Sequence, residues 1–371
     1  MNTDSNTAMG TKTRTKSATI KKDTIYDKHL YNMEDEEFQA YMLDGVSRTF
    51  ALTIPELPDK LQKVVANAYL LCRTVDTIED EPTIPYEQKR ELCKDYTRVF
   101  NGEVDPNEFA QALTPLLSSS TLDMEVELIK NTNKVIEISH SFDKADQKAL
   151  LRCIDIMGEG MVFFQSNASI HGLKNQKALD KYCYYVAGVV GEMLTDLFCN
   201  YSSDIAKNRR EMQDLAVSFG QGLQMTNILK DIWADYDRGV CWLPRKTFHR
   251  HGFDIENLVD GPESVEFQKG LQHLVGVANH HLYNAFTYTL LIPSHETGIR
   301  RFCLWAIGMA ILTLRKINNN LDFNKSNQVK IKRNTVKAVV AGSNLSSKND
   351  MLLKFLFRSI QIGLPVNKPE N

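Results

Sequence analysis

The segment QMTNILKDIWADYDRGVCWLP, residues 224–244, carries polar side chains at intervals of four residues, namely Asn227, Asp231 and Asp235. On an α-helix, a step of four residues turns the side chain by only about 40°, so all three lie on one face. Apolar residues fill the positions between them and can anchor the helix in a core. Two carboxylates and an amide on a buriable helix are costly unless they bind something positive. The stripe therefore predicts a site for a divalent cation such as Mg²⁺, and a solvated acidic face is the alternative.

A second acidic pair lies about 150 residues earlier, at the end of a strong helical pattern over residues 61–78. Asp76 and Asp80 are again four residues apart, and Arg73 and Glu79 can share their face. Carboxylates at a helix C-terminus are disfavoured by the helix dipole. This local conflict favours a functional reason for the pair, with a solvated acidic helix end as the alternative.

Composition and cysteine usage indicate a soluble intracellular protein. The chain has 371 residues, 43% of them apolar and 24% charged, which is ordinary for a globular protein. Its net charge of −2 indicates no general affinity for nucleic acid. The seven cysteines are dispersed and contain no CxxC pair, which argues against a disulfide or zinc framework. We therefore expect a cytoplasmic protein with reduced thiols.

The distribution of apolar residues predicts an all-α fold, because helical periodicity recurs along the chain and no strand-like alternation of any length is present. Residues 1–25 are polar and charged and are predicted to be a disordered tail. Residues 26–371 are predicted to form a single helical domain. The longest apolar run, FCLWAIGMAILTL at residues 302–314, is too short to span a bilayer and predicts a buried helix rather than a transmembrane segment.

Small residues mark the helical segment LDKYCYYVAGVVGEMLTDLF, residues 179–198. Ala187, Gly188 and Gly191 form a stripe on it, and Tyr182 lies just upstream. Such a stripe is typical of tight helix–helix packing. The alternative is a smooth wall of an apolar cavity with a phenol facing inward.

Three other stretches have a chemical and a structural interpretation. In SRTFALTIPELP, residues 47–58, Ser47, Arg48 and Thr49 form either a helix-capping turn or an anion-binding corner. The basic stretch NKSNQVKIKRNTVK, residues 324–337, is either solvated surface or a site for an anionic cofactor. The C-terminal pattern MLLKFLFRSIQIGL is predicted to pack on the core or to touch a membrane surface.

The two acidic helices together predict more than either alone. They describe a helical bundle with a central apolar cavity and carboxylates on opposing walls of its mouth. Carboxylates bridged by Mg²⁺ ions hold diphosphates. When diphosphate leaves carbon, a Lewis acid must neutralise the negative charge of the leaving group. The carbocation that remains must be kept from water in a dry cavity lined by aromatic side chains. The pattern therefore predicts chemistry on allylic prenyl diphosphates.

The stretches SRTFALTIP, YLLCRTVDTIED, YCYYVAGVVGEM and QMTNILKDIWADYDRGVCWLP occur in the order and spacing of the squalene/phytoene synthase family, which the chain resembles over roughly residues 40–340. The forms DTIED, FCLWAIGMAILTL followed by NNN, and VKIKR resemble its squalene synthase branch more than its phytoene synthase branch. The expected lack of a C-terminal membrane anchor is similar to bacterial members.

The resemblance implies the fold of a class I isoprenoid synthase and a reaction in two halves. Two farnesyl diphosphates condense head to head to presqualene diphosphate, which is then reduced by NADPH to squalene. The implied cofactors are Mg²⁺ (or Mn²⁺) and NADPH. The implied partner is farnesyl diphosphate and not nucleic acid, with a monomeric chain and a peripheral membrane contact for product release.

The resemblance also assigns roles to residues of this chain. The catalytic residues it implies are Asp76, Asp80, Tyr182 and Phe302. The metal ligands it implies are Asp76, Glu79, Asp80, Asn227, Asp231 and Asp235. The substrate-binding residues are Ser47, Thr49, Phe50, Arg73, Ala187, Gly188, Gly191, Gln224 and Asn227. The NADPH-binding residues are Lys330, Lys332 and Arg333.

Two alternatives remain at this point. The first is the same initial condensation with a different end, giving dehydrosqualene without a reductant or phytoene from geranylgeranyl diphosphate. The second is a non-catalytic assembly factor of the same fold. Such a factor is expected to have lost acidic residues, whereas both acidic motifs are complete here.

Overall fold

Helices account for every named secondary-structure element in residues 28–47 and 49–369, the parts of the chain that this computed structural model describes. The predicted tail, residues 1–25, and Arg48 lie outside the described residues. The first nine helices are α1 Lys28–Tyr31, α2 Asp35–Val46, α3 Phe50–Thr53, α4 Asp59–Asp80, α5 Tyr86–Phe100, α6 Pro106–Leu113, α7 Asp123–Lys130, α8 Thr132–His140 and α9 Lys144–Ser166.

The second half of the chain contains the longest helix, which carries the acidic stripe. Its helices are α10 Gln176–Cys183, α11 Val189–Tyr201, α12 Ser203–Ala206, α13 Arg209–Asp237, α14 Arg245–Arg250, α15 Val265–Leu291, α16 Thr297–Asn318, α17 Ser326–Val329, α18 Arg333–Ser346 and α19 Asp350–Gln361. A π-helical turn, Tyr184–Gly188, joins α10 to α11, and 3₁₀ turns lie at Ile54–Glu56, Thr114–Leu116 and Ile255–Glu263. The all-α prediction is confirmed.

The two acidic helices begin and end where their sequences favour it. Pro58 precedes α4, and the chain becomes extended at Glu81, directly before Pro82. Helix α13 ends ahead of Gly239, which has φ +81°, a left-handed conformation that favours glycine. Both helices bury the apolar residues between their acidic positions, among them Val75 and Ile78 on α4 and Ile228 and Ile232 on α13.

Helices from both halves of the chain pack against one another. Helices α4 and α5 pack on α9, and α13 packs on α11, α15 and α16. The buried side chains form two clusters, and helices α9, α15 and α16 contribute residues to both. The two acidic helices therefore belong to clusters that share the same supporting helices.

The small-residue stripe makes close backbone contacts. A Cβ atom on Gly191 would lie 2.2 Å from the carbonyl oxygen of Ala216, and one on Gly220 would lie 2.1 Å from that of Ala187. Any larger residue at either position would push α11 and α13 apart. The tight-packing interpretation therefore holds for Gly191.

The apolar run 302–314 lies inside α16, as predicted. By length and composition alone, α16 is the single helix in the described residues that passes as a candidate membrane span, and 67% of its most apolar window is buried in the protein. All seven cysteines are buried free thiols, in agreement with the expected absence of a disulfide framework.

Candidate active site

The first acidic motif occupies the last turns of α4. Asp76 is half-buried, Glu79 is buried and Asp80 is exposed at the helix end. Lys89 of α5 is also buried and donates to the backbone oxygen of Glu79. The carboxylates thus lie where the helix meets α5 and the following loop.

Burial and mutual repulsion raise the pKa values of this motif. Loss of hydration raises the pKa of Asp76 to about 7; Arg73 opposes the shift, and the charge of Asp80 adds to it. The pKa of Glu79 is raised well above its usual range by burial and then by the charges of Asp80 and Asp76. Removal of water by the surrounding protein also raises the pKa of Asp80. This crowding of negative charge is what a bound cation would relieve.

The second acidic motif lies on the last three turns of α13. Asp235 is buried, Asp231 and Gln224 are half-buried, and Asn227 is exposed. Burial raises the pKa of Asp235 against the opposing charge of Arg238, and the charges of Asp231 and of Asp80 raise it further. Because Asp80 belongs to α4, the charge of the first acidic motif acts on a carboxylate of the second.

Three of the four aspartates in the two motifs form an ion pair with a basic neighbour. The shortest nitrogen–oxygen distances are 3.7 Å for Arg73–Asp76, 3.1 Å for Lys230–Asp231 and 2.5 Å for Arg238–Asp235. Over the described part of the chain, no group of three or more Asp, Glu, His or Cys side chains is close enough together to hold one metal ion. The carboxylates are therefore arranged around arginine and lysine side chains rather than around a common point.

Tyr182 is a buried residue near the end of α10. Its ring is buried and stacks on the indole of Trp242, with ring centroids 3.9 Å apart and planes inclined by 12°. The ring of Phe164 lies 5.4 Å away. Burial raises the phenol pKa well above its usual range, and the charges of Glu79 and Asp235 add to the shift. Since Glu79 and Asp235 come from opposite motifs, the phenol is close to both.

The SRTF corner approaches the first motif through Tyr69 of α4. The hydroxyl of Ser47 accepts a hydrogen bond from the backbone N–H of Phe50 at 3.0 Å, so the helix-capping interpretation holds for Ser47. Thr49 is exposed, and the ring of Phe50 lies 5.1 Å from that of Tyr69. Burial raises the pKa of Tyr69, while a hydrogen bond with Ser47 and the charge of Arg73 lower it. Tyr69 thus connects the corner to Arg73.

Other predicted residues lie on α16 and in the π-helical turn after α10. Phe302 is buried on α16, with its ring edge-on to Phe198 at 6.3 Å, in the first apolar cluster, whereas Tyr182 belongs to the second. Ala187 and Gly188 lie in the π-helical turn. A cavity of about 200 Å³ opens between α2 and α4 and is lined by residues 36–66, so neither Tyr182 nor the acidic motifs line it.

The predicted NADPH segment lies at the start of α18. Lys330, Lys332 and Arg333 are exposed. The segment is attached to α13 because the indole of Trp233, which stands between Asp231 and Asp235 in sequence, donates to the backbone oxygen of Phe323 at 2.8 Å. The chain just before the basic residues is therefore anchored to the helix that carries the second motif.

Three residues of the site were not singled out in the sequence. Glu125 on α7 pairs with Arg73, Arg238 pairs with Asp235, and Trp242 supports Tyr182. Arg238 and Trp242 fall within the segment 224–244, where their proximity to the acidic stripe was a usable signal. Glu125 gave no signal, because only helix packing brings α7 against α4.

A helical bundle with two acidic helices facing each other defines the class I isoprenoid synthases. Within that class, the chain belongs to the squalene/phytoene synthase family, whose model matches residues 43–335. Among its relatives, the squalene synthase of Schizosaccharomyces pombe is 28% identical over 324 residues, covering 85% of this chain and 66% of the relative. The squalene synthase of Saccharomyces cerevisiae is 28% identical over 360 residues, covering 92% and 76%. That of Gibberella zeae is 29% identical and is covered over 59% of its length, so the chain spans about two thirds of these relatives.

Solved structures share the fold at lower identity. TcSQS in complex with the ligand BPH1237 is 24% identical with a TM-score of 0.71, and the match covers 91% of this chain and 94% of that one. A dehydrosqualene synthase is 19% identical with a TM-score of 0.62, covering 84% and 95%. The squalene synthase HpnC from Alicyclobacillus acidocaldarius is 16% identical with a TM-score of 0.56, covering 78% and 95%.

Proposed function

We propose that this protein is a squalene synthase. It condenses two farnesyl diphosphates head to head to presqualene diphosphate and reduces that intermediate with NADPH to squalene. The observation that carries the proposal is the presence of acidic stripes on both α4 and α13 together with the buried phenol of Tyr182, whose pKa is raised by burial and further by the charges of Glu79 and Asp235. The names of the curated relatives, squalene synthases of fungi, support it.

The donors of the two motifs are carboxylate and amide oxygens, the ligand type that a hard divalent cation takes, although the described carboxylates are not gathered around one point. Asp76, with its pKa raised to about 7, is one of several oxygen donors crowded together at a cost that a divalent cation offsets. The residues that would hold Mg²⁺ (or Mn²⁺) are Asp76, Glu79, Asp80, Asn227, Asp231 and Asp235. When bound, the metal supplies Lewis-acid neutralisation of the leaving diphosphate.

Around the metal, the chain would bind the substrates through its cationic and small residues. Arg73, held by Glu125 and Asp76, would donate to diphosphate oxygens once those oxygens compete for it. The remaining residues that we assign to the substrates are Ser47, Thr49, Phe50, Ala187, Gly188, Gln224 and Asn227, whereas Gly191 packs against Ala216 and stays outside this set.

Tyr182 would act on the carbocation in its neutral form. Because burial raises the pKa of its phenol well above the usual range, the hydroxyl keeps its proton. This favours stabilisation of the cation by the phenol oxygen and by the stacked rings of Tyr182 and Trp242 over removal of a proton by a phenolate. Phe302 would shield the later cations from water.

The start of α18 suits the phosphate groups of NADPH. A helix of 14 residues begins at Arg333, and its first N–H groups and positive dipole end favour an anion. Lys330, Lys332 and Arg333 add three exposed cations there. NADPH would supply the hydride of the second half-reaction.

One second candidate is the same condensation without the reductive step, which the likeness to a dehydrosqualene synthase favours.

The purified protein should be incubated with farnesyl diphosphate and Mg²⁺, with and without NADPH, and the hydrocarbon identified by mass spectrometry. Squalene formed only with NADPH is the expected result. Dehydrosqualene in both reactions would overturn the reductase assignment, and turnover of geranylgeranyl diphosphate alone would indicate phytoene synthesis.

We further propose a monomeric, cytoplasmic protein with one domain over residues 26–371 and a peripheral membrane contact through α19. Leu353 and Phe357 on the inner face of α19 are buried. On its outer face Met351 and Phe355 are 82% and 67% exposed, and Lys354 and Arg358 are exposed beside them. Apolar side chains interleaved with cations fit the interface of an anionic membrane.

A further inference from the structure

The ion pair between Arg238 and Asp235 places a cation on a carboxylate that we assign to the metal site. Nη2 of Arg238 donates to Oδ1 of Asp235 at 2.5 Å. The side chain of Asp235 is only 10% exposed, whereas that of Arg238 is 70% exposed. The carboxylate of Asp235 is thus buried among neighbouring side chains, whereas the guanidinium of Arg238 approaches it from the solvent. The guanidinium can therefore leave Asp235 without disturbing the core.

The turn after α13 holds Arg238 in this place. Arg238 is the first residue beyond the helix, and the chain reverses at Gly239. The backbone N–H of Val240 donates to the backbone oxygen of Asp235 at 3.0 Å, which closes the turn over the helix end. The negative end of the helix dipole also favours a cation there.

The charge of Arg238 also reaches the opposing motif. Among the cations that act on Asp80, Arg238 lowers the carboxyl pKa most, although loss of hydration outweighs it. The charge of Asp231 acts on Arg238 as well. One exposed guanidinium therefore compensates carboxylates from both α4 and α13.

We propose that Arg238 is a built-in counter-ion, which holds Asp235 in the metal-free protein, leaves it when a divalent metal binds, and then donates to the diphosphate that enters with the metal. This inference rests on the proposed function of the same site. A guanidinium on Oδ1 of Asp235 and a divalent metal repel each other and compete for the charge of the same carboxylate, so binding of the metal favours departure of Arg238. A guanidinium is well suited to the exchange, because its planar fork matches phosphate as well as carboxylate oxygens.

The exchange has a measurable consequence. Metal alone must displace Arg238 and leave its charge without a partner, so metal alone binds weakly. With diphosphate present, Arg238 exchanges one anion for another, so metal and diphosphate favour each other's binding. Removal of the guanidinium should therefore change the two affinities in opposite directions.

The test uses the Arg238→Gln variant of the full chain and two binding measurements without turnover. Binding of Mn²⁺ alone, followed by electron paramagnetic resonance, should become about fivefold tighter, and binding of inorganic pyrophosphate at saturating Mg²⁺, followed by calorimetry, about tenfold weaker. Arg238→Lys, which keeps a cation, should stay close to the wild type in both. Arg98→Gln removes an exposed arginine that pairs with Asp95 and should change neither affinity.

Several results would overturn the inference. If Arg238→Gln leaves Mn²⁺ affinity unchanged or weakens it while its melting temperature is kept, Arg238 is not a counter-ion to the metal site. If pyrophosphate affinity stays unchanged, Arg238 does not move to the diphosphate. Asp231→Asn separates this from the proposed function: if that variant binds Mn²⁺ like the wild type, the metal site itself is wrong.

Discussion

Tyr182 and Trp242 stack face to face, with ring centroids 3.9 Å apart. The two residues come from different parts of the chain: Tyr182 lies on α10, and Trp242 follows the turn that ends α13. The stack therefore joins the phenol to the segment that carries the second acidic motif. Through it, the position of the phenol depends on the exit turn of α13.

The stack predicts that Trp242 positions Tyr182 without taking part in the chemistry. Trp242→Ala should slow formation of presqualene diphosphate without NADPH by about tenfold or more, a loss of about 1.4 kcal/mol, because the phenol loses its support. Trp242→Phe, which keeps an aromatic face, should retain most of the rate. A normal rate in a folded Trp242→Ala protein would contradict the positioning role.

The two acidic motifs predict that aspartates only a few residues apart contribute very differently to turnover of farnesyl diphosphate. Asp80→Asn and Asp231→Asn should each lower turnover of farnesyl diphosphate by at least about a hundredfold, since each removes a charge from the metal–diphosphate site. The matched control is Asp237→Asn, because Asp237 is exposed and out of step with the stripe. Unchanged turnover in Asp80→Asn or Asp231→Asn would show that the metal-site hypothesis is wrong.

Glu81, directly after α4, predicts a pH dependence of stability. Burial pushes its pKa up, but hydrogen bonds from Thr121 at 2.6 Å, Ser118 at 2.9 Å and Thr83 at 2.8 Å lower it to about 2. A carboxyl with a lowered folded pKa stabilises the fold above its unfolded pKa of 4.5, and this stabilisation is lost as pH falls from 4.5 towards 2.

Chemical denaturation of Glu81→Gln tests this dependence. At pH 7 the variant should lose about 2–3 kcal/mol of unfolding free energy relative to wild type, and the difference should shrink as pH falls below 4.5. Glu87→Gln is the control, since Glu87 is exposed and pairs only with the nearby Arg90 within the described chain. An equal difference at pH 7 and at pH 2 would contradict the assignment.

The outer face of α19 predicts selective binding to anionic membranes. The wild type should sediment with vesicles of phosphatidylcholine and phosphatidylserine, and the Met351→Glu/Phe355→Glu double variant should remain in the supernatant. Lys354→Gln/Arg358→Gln should weaken binding by about 1 kcal/mol per cation. Val259→Glu, which changes an exposed apolar residue outside α19, is the control. A wild type that ignores both anionic and neutral vesicles would show that the membrane proposal is wrong.

Much of the architecture around the acidic motifs was predictable. The pattern over residues 61–78 predicted α4, which spans Asp59–Asp80, because burial at i, i+3 and i+4 spacing is a local property of the sequence. The spacing of Asp231 and Asp235 likewise predicted one polar stripe on one helix. The sequence also predicted that the two motifs lie on opposing walls of one bundle, because a shared set of cations can then neutralise both sets of carboxylates.

Partners that come from other helices were not predictable. Glu125 lies about 50 residues from Arg73 in sequence, and its pairing depends on how α7 packs against α4. The choice between a glycine stripe for packing and one for a cavity wall also needed the position of Ala216 on α13.

The helical class, the two acidic stripes and their chemistry follow from residue spacing, because the α-helix has a fixed period and carboxylates have fixed ligand preferences. Which basic side chain forms an ion pair with which carboxylate depends instead on the packing of the helices in three dimensions. Arg238 covers Asp235 because of the turn at Gly239, and its charge also acts on Asp80, which belongs to a different helix. Electrostatic interactions act through space over a few ångströms, and distance along the chain does not measure that separation.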